Sequence, residues 1–106
     1  MLQITELVAE SGRYRAALER SPELVGAQKG LGLTLIASGR DAEAVPLLEQ
    51  VLAAEESADL RVELGSARKR LGLVAAAIED YRVACATDPG FAEAHNRLAL
   101  ALAEEG

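Results

Sequence analysis

Between Leu24 and Ile36 the apolar residues Leu24, Ala27, Leu31, Leu35 and Ile36 recur every three or four positions, the spacing of one helix face. The pattern stops at Ser38-Gly39, where glycine permits a left-handed C-cap. Its start is read at Ser21-Pro22-Glu23: a capping hydroxyl, a proline whose missing N–H costs nothing in a first turn, and an acid favoured by the helix dipole. A second helix is predicted from Asp41 as cap, through Val45, Leu48, Val51 and Leu52, to about Ala54. Pro46 lies beyond its first turn and removes one backbone hydrogen bond, so a local kink or a delayed start is expected. Ser57 or Asp59 then opens a helix ending near Leu71-Gly72. Its successor carries Ala77, Ile78, Tyr81, Ala84 and Cys85 and stops at Asp88-Pro89-Gly90, and a last helix runs from Phe91 through Ala94, Leu98 and Leu102.

These blocks are copies of one another. Leu31-Gly32, Gly39, Ala44-Val45, Leu48 and Val51-Leu52 return thirty-three residues later as Leu64-Gly65, Gly72, Ala77-Ile78, Tyr81 and Ala84-Cys85. A period of this size marks a helical-repeat array, in which each unit buries its apolar face by stacking on a neighbour. Tyr14, Ala17-Leu18 and Pro22 stand sixty-seven residues before Tyr81, Ala84-Cys85 and Pro89, two periods away, so residues 2–20 read as the second helix of a repeat. Two parses of this segment remain. Ile4, Leu7, Ser11, Tyr14 and Leu18 keep one helical phase through Gly12, which favours a continuous helix because an interior glycine costs only about 1 kcal/mol. The alternative is two short helices turning at Gly12-Arg13-Tyr14. The sequence stops at Gly106, thirty-four residues after Gly72, where a helix turn is expected.

Composition supports an all-α chain of about six helices. Half of the 106 residues are apolar but only 3% are aromatic, and the alanine and leucine that dominate favour closely packed helices over strands. Eleven basic against seventeen acidic residues give a net charge of -6, which opposes binding to nucleic acid or to anionic membrane surfaces. No apolar run approaches the roughly 20 residues of a membrane-spanning helix, so no membrane insertion is expected. One cysteine and an N-terminus carrying Glu6 and Glu10, unlike a signal peptide, agree with a cytoplasmic location. The bias to Ala, Gly, Arg and Leu suggests a bacterial source.

With its paired helices and its period, the chain resembles the tetratricopeptide repeat, an antiparallel helix pair of about 34 residues that stacks into a right-handed superhelix, an α-solenoid. Gly32, Ala44, Gly65 and Ala77 stand where that family places small residues at close helix crossings, and Leu31, Leu35, Leu48, Leu64 and Tyr81 where it places large ones. The resemblance implies one domain over residues 1–106: a half repeat at 1–23, full repeats at 24–57 and 58–91, and a half repeat at 92–106. There are departures. Gln28, Arg61 and His95 replace the bulky aromatic usual in the first turn of each unit, Arg68 takes another aromatic place, and Glu56 replaces the closing proline.

Nothing in the sequence points to chemistry, and no catalytic residue, metal ligand or cofactor is expected. Cys85 falls on an apolar stripe, and His95, with no second His or Cys at ligand spacing, reads as a half-buried helix residue. Glu55-Glu56, Glu79-Asp80 and Glu104-Glu105 are adjacent on helices, so the members of a pair diverge, and all three are read as solvated surface. Gly30-Leu31-Gly32 lies in an apolar helix with no preceding strand, which favours helix packing over a phosphate-binding loop. Arg68-Lys69-Arg70 sits in a last turn, where cations meet the helix dipole favourably.

By the family resemblance, the first helix of each unit lines a concave groove for a peptide or partner protein. Lys29, Leu33 and Ile36, then Ser66, Lys69 and Arg70, then Asn96, Arg97 and Leu100 would face it, a positive strip in a negative chain. Lys29 and Arg97 match two places of a carboxylate clamp found in chaperone-binding members, but Leu33 and Glu93 replace its other residues, so no such clamp is assigned. The expected function is a protein-interaction scaffold from a larger protein. One alternative is a substrate-presenting repeat region of an enzyme such as a glycosyltransferase or sulfotransferase. The other is self-assembly as a homodimer through the terminal helices, for which Leu7, Phe91, Leu98 and Leu102 are the candidate contacts.

Overall fold

The computed structural model describes residues 4–105, and these form six helices and no strand: α1 Ile4–Arg20, α2 Val25–Ala37, α3 Asp41–Ala54, α4 Ala58–Arg70, α5 Val74–Thr87 and α6 Ala92–Glu105. Residues 1–3 and the turn expected at Gly106 lie outside the described residues. The helix α1 runs unbroken through Gly12, which settles the two parses in favour of the continuous one. The contacts group the chain into two compact units, Met1–Ala54 and Glu55–Gly106. In the first, α2 packs on both α1 and α3; in the second, α5 packs on both α4 and α6.

Glycine ends two of the helices as expected. Gly39 and Gly72 have φ of 77° and 85°, and the N–H groups of Gly39 and Arg40 bond to the carbonyls of Ile36 and Leu35 at 3.0 and 2.8 Å. The same pair of bonds closes α4, from Gly72 to Lys69 and from Leu73 to Arg68, each 2.9 Å. Both are Schellman closures, which satisfy carbonyls that a helix end leaves unpaired.

The helix starts are less regular. Ser57 caps α4, its hydroxyl accepting from the Leu60 N–H at 3.3 Å. Ser21 does not cap α2: residues 21–24 form a turn, the cap residue is Leu24 with no side-chain bond, and Leu24 is 47% exposed rather than on the buried face. Asp41 is the first helical residue of α3 and is buried, while the Arg40 carbonyl accepts the first bond from Ala44 N–H at 3.2 Å. Pro46 neither delays nor interrupts α3. Ala42, whose carbonyl lacks the N–H that a proline cannot supply, is exposed, and water can satisfy it.

Small residues let the paired helices meet. A Cβ on Gly32 would come within 2.8 Å of Leu48 Cδ2, and one on Gly65 within 2.8 Å of Tyr81 Cε1. These two glycines hold the same place in the two full repeats, and the large partner changes from leucine to tyrosine. Gly30 admits the Tyr14 ring of α1 more closely still, so Gly30-Leu31-Gly32 is a packing element. In the first unit Leu31, Leu35 and Ala44 form a core flanked by Tyr14 and Leu18. In the second, Val62, Ala77, Ile78, Tyr81, Ala84, Ala94 and Ala101 do so, with Phe91, Leu98 and the half-buried Cys85 packed against them.

Candidate functional site

The three residues that replace the family's first-turn aromatic do related work. Gln28 donates from Nε2 to the Pro22 carbonyl at 2.9 Å, and to Gln50 at the same distance. His95 Nε2 lies 2.8 Å from the Pro89 carbonyl, which can only accept, so that nitrogen carries the proton. Arg61 instead reaches the Glu56 carboxylate with Nε at 3.1 Å and with Nη2. Each thus ties its helix to the segment before it. Two departures that look independent in the sequence, Glu56 for proline and Arg61 for an aromatic, are one ion pair. His95 is exposed rather than half-buried.

Asp80 is the largest surprise. It is 3% exposed and accepts from Arg61 Nη1 at 3.2 Å and from Arg68 Nη1 at 3.0 and 2.9 Å. Arg61 and Arg68 lie two turns apart on one face of α4 and close on the same carboxylate from both sides. The equivalent residues of the first repeat are Gln28, Leu35 and Leu47, without a charge among them. The acidic pairs are therefore not simply solvated. In each, at least one member is held by a cation: Glu56 by Arg61, Asp80 by two arginines with its neighbour Glu79 beside Arg82, and Glu104 by Lys69 at 2.9 Å.

The Arg61 hydrogen bond holds Glu56 below its ordinary pKa of 4.5, against a smaller opposing effect of burial, and the same bond raises Arg61. A carboxylate with a depressed folded pKa adds stability that is complete above the unfolded pKa and disappears as pH falls through the folded one. Glu56→Gln is expected to lower stability at pH 7 by up to about 1 kcal/mol, the scale of a partly exposed pair. Urea melts from pH 7 down to pH 2 should show the gap to wild type closing below about pH 4.5.

The expected groove residues occupy different environments. Lys29, Arg70, Asn96 and Arg97 are exposed, Leu33, Ile36 and Lys69 are half-buried, and Leu100 is 59% exposed. Ser66 is buried, its hydroxyl 3.0 Å from that of Tyr81. Lys69 is bound to Glu104 and Arg97 to Glu93, at 3.5 Å, so the positive strip is partly neutralised from within. Among the self-association candidates, Leu7 is buried in its own chain, Phe91 and Leu98 are half-buried against the second core, and Leu102 is 39% exposed.

The sequence did not indicate an open cleft of about 720 Å³ in the first unit, between α1 and the C-terminal end of α2. Leu7, Val8, Gly12, Arg15, Leu35 and Arg40 line it. Among the described residues no cluster of His, Cys, Asp or Glu could hold a metal ion, and no helix is long and apolar enough to cross a membrane.

Packed helix pairs, a thirty-three-residue repeat and glycines where α2 meets α3 and α4 meets α5 define a helical-repeat module. The tetratricopeptide-repeat family profile matches residues 11–59 and 30–90, and the chain belongs to that family. Solved structures agree. The chain is 28% identical to MamA from AMB-1 over 91% of its length and 57% of that chain, with a TM-score of 0.84. It is 27% identical to YrrB, described as a TPR protein with an unusual peptide-binding site, over 97% of its length and 54% of that chain, with a TM-score of 0.86. Another MamA structure covers the whole chain and 67% of its own at 24% identity and a TM-score of 0.90, which shows the shared fold. The chain thus spans little more than half the length of several of the solved proteins it resembles. No curated protein matches it. Family and neighbours together support a protein-interaction scaffold.

Proposed function

We propose that the chain is a non-catalytic part of a larger cytoplasmic protein and captures an extended peptide or a partner segment along the face that α4 and α6 form. The observation that carries this reading is the side-by-side contact of α4 with α6, fastened by Lys69 and Glu104, beside the exposed Arg70, Asn96, Arg97 and Leu100. Such a face offers apolar contact, side-chain amide bonding and cations that a peptide carboxylate can win from their internal partners. YrrB, a relative described as peptide-binding, supports the same reading.

The ligand class follows from the charges. With Lys69 and Arg97 already paired inside the chain, the face suits a peptide mixing apolar and acidic side chains better than a wholly acidic one. Selecting a random twelve-residue peptide library on the immobilised chain should enrich that mixture. Fluorescence anisotropy of a selected peptide should then show Arg70→Glu with Arg97→Glu weakening binding by about tenfold or more at unchanged helicity. Failure to enrich any peptide, or equal affinity in the charge-reversed variant, contradicts the proposal.

A further inference from the structure

The cleft of about 720 Å³ in the first unit has its origin in the repeat itself. The helices α1, α3 and α5 hold the same place in their repeats and align on Tyr14, Leu48 and Tyr81. Ser11 of α1 then stands where α3 has Val45 and α5 has Ile78, and Gly12 stands where they have Pro46 and Glu79. Ile78 is buried and belongs to the core of the second unit. A serine in that place cannot fill the volume of such a side chain, and a Cβ on Gly12 would meet nothing within 4 Å. Two small residues inside α1 thus open the space. Its other walls are the last turn of α2 and the turn that leads into α3. Tyr14, which packs on Gly30, does not line it.

The lining has two chemically distinct parts. Leu7 and Leu35 are buried and give it an apolar floor, and the exposed Val8 adds an apolar lip. Arg15 and Arg40 stand at its rim and share one carboxylate: Arg15 Nη2 lies 3.3 Å from Glu43 Oε2, and Arg40 Nη1 lies 3.4 Å from Glu43 Oε1. Two cations on one carboxylate leave an excess of positive charge here, in a chain whose net charge is -6. Each guanidinium also carries more N–H donors than the one that Glu43 takes from it. An apolar floor below a pair of arginines is complementary to an anion with an apolar body. We propose that the cleft binds a small amphipathic carboxylate, its apolar body over Leu7, Leu35 and the bare backbone at Gly12, and its carboxylate between Arg15 and Arg40. The volume falls in the range of about 300–1,000 Å³ typical of small-molecule sites, which favours such a ligand over an extended peptide. The site lies in the first unit and is independent of peptide capture on α4 and α6.

Octanoate is the probe, with 1-octanol and acetate as its apolar and anionic halves. In titrations of ¹⁵N-labelled chain, octanoate should give saturable amide shifts centred on Val8, Gly12 and Arg40, and octanol and acetate should each bind about tenfold or more weakly. Gly12→Leu puts a side chain into the open space and removes a glycine from a helix interior. It should keep or raise the thermal midpoint while abolishing the octanoate shifts at Val8 and Arg40. Arg15→Gln combined with Arg40→Gln changes two exposed side chains, so the melt should stay as it is while octanoate falls to the affinity of octanol. No saturable shift at these residues with millimolar octanoate, octanol binding as tightly as octanoate, or undiminished octanoate binding in either variant overturns the proposal.

Discussion

Asp80→Ala is expected to destabilise the chain by about 3 kcal/mol, the low end for stranding charges beside a lost partner, because Arg61 and Arg68 keep some contact with water. Their side chains are 20% and 18% exposed, and the carboxylate between them only 4%. Urea denaturation should show a lower midpoint at unchanged slope. The first repeat supplies the control. Its equivalents are Gln28, Leu35 and Leu47, so the triple variant Arg61→Gln, Arg68→Leu, Asp80→Leu replaces the charges together with residues the same packing already accepts. Replacement of a whole buried ionic group by apolar residues is often neutral or stabilising, so this variant should recover most of the lost stability. A triple variant as unstable as Asp80→Ala would mean that the network does more than satisfy its own charges.

Tyr81→Ala should cost about 3–5 kcal/mol, the range for removing a large buried side chain. Tyr81 is 0% exposed, its ring fills the space that Gly65 leaves, and its hydroxyl meets Ser66. Tyr81→Phe keeps the ring and removes only the hydroxyl partner of Ser66, a loss of about 1 kcal/mol. Chemical denaturation of both variants separates the two contributions. Near-equal losses would show that the hydroxyl pair, and not the ring, dominates this crossing.

What the sequence made legible was whatever the period repeats. Apolar spacing, Gly39 and Gly72 as helix ends and Ser57 as a cap are local signals, and each stands where its local physics requires. The errors arose where a residue's environment is set by a distant partner. Asp80 looks like half of a solvated acidic pair until Arg61 and Arg68, nineteen and twelve residues earlier, are brought over it. The available clue was that both arginines occupy aromatic places on one face of a helix. Ser66 and Leu7 are buried by neighbouring helices, which composition cannot reveal. Ser21-Pro22-Glu23 imitates a helix start, yet the Pro22 carbonyl is taken by Gln28, and the helix begins three residues after it. The groove positions follow no repeat rule, because packing leaves them free to vary, and their chemistry is correspondingly hard to read.

The central claim, that α4 and α6 form the capture surface, is tested most directly by NMR. Uniformly ¹⁵N-labelled chain is titrated with a library-selected peptide, and amide shifts are mapped. The account predicts shifts concentrated at Lys69 and Arg70 on α4 and at Asn96, Arg97 and Leu100 on α6. Shifts confined to the cleft beside Val8 and Arg40, or to the exposed residues of α3 and α5, would contradict it.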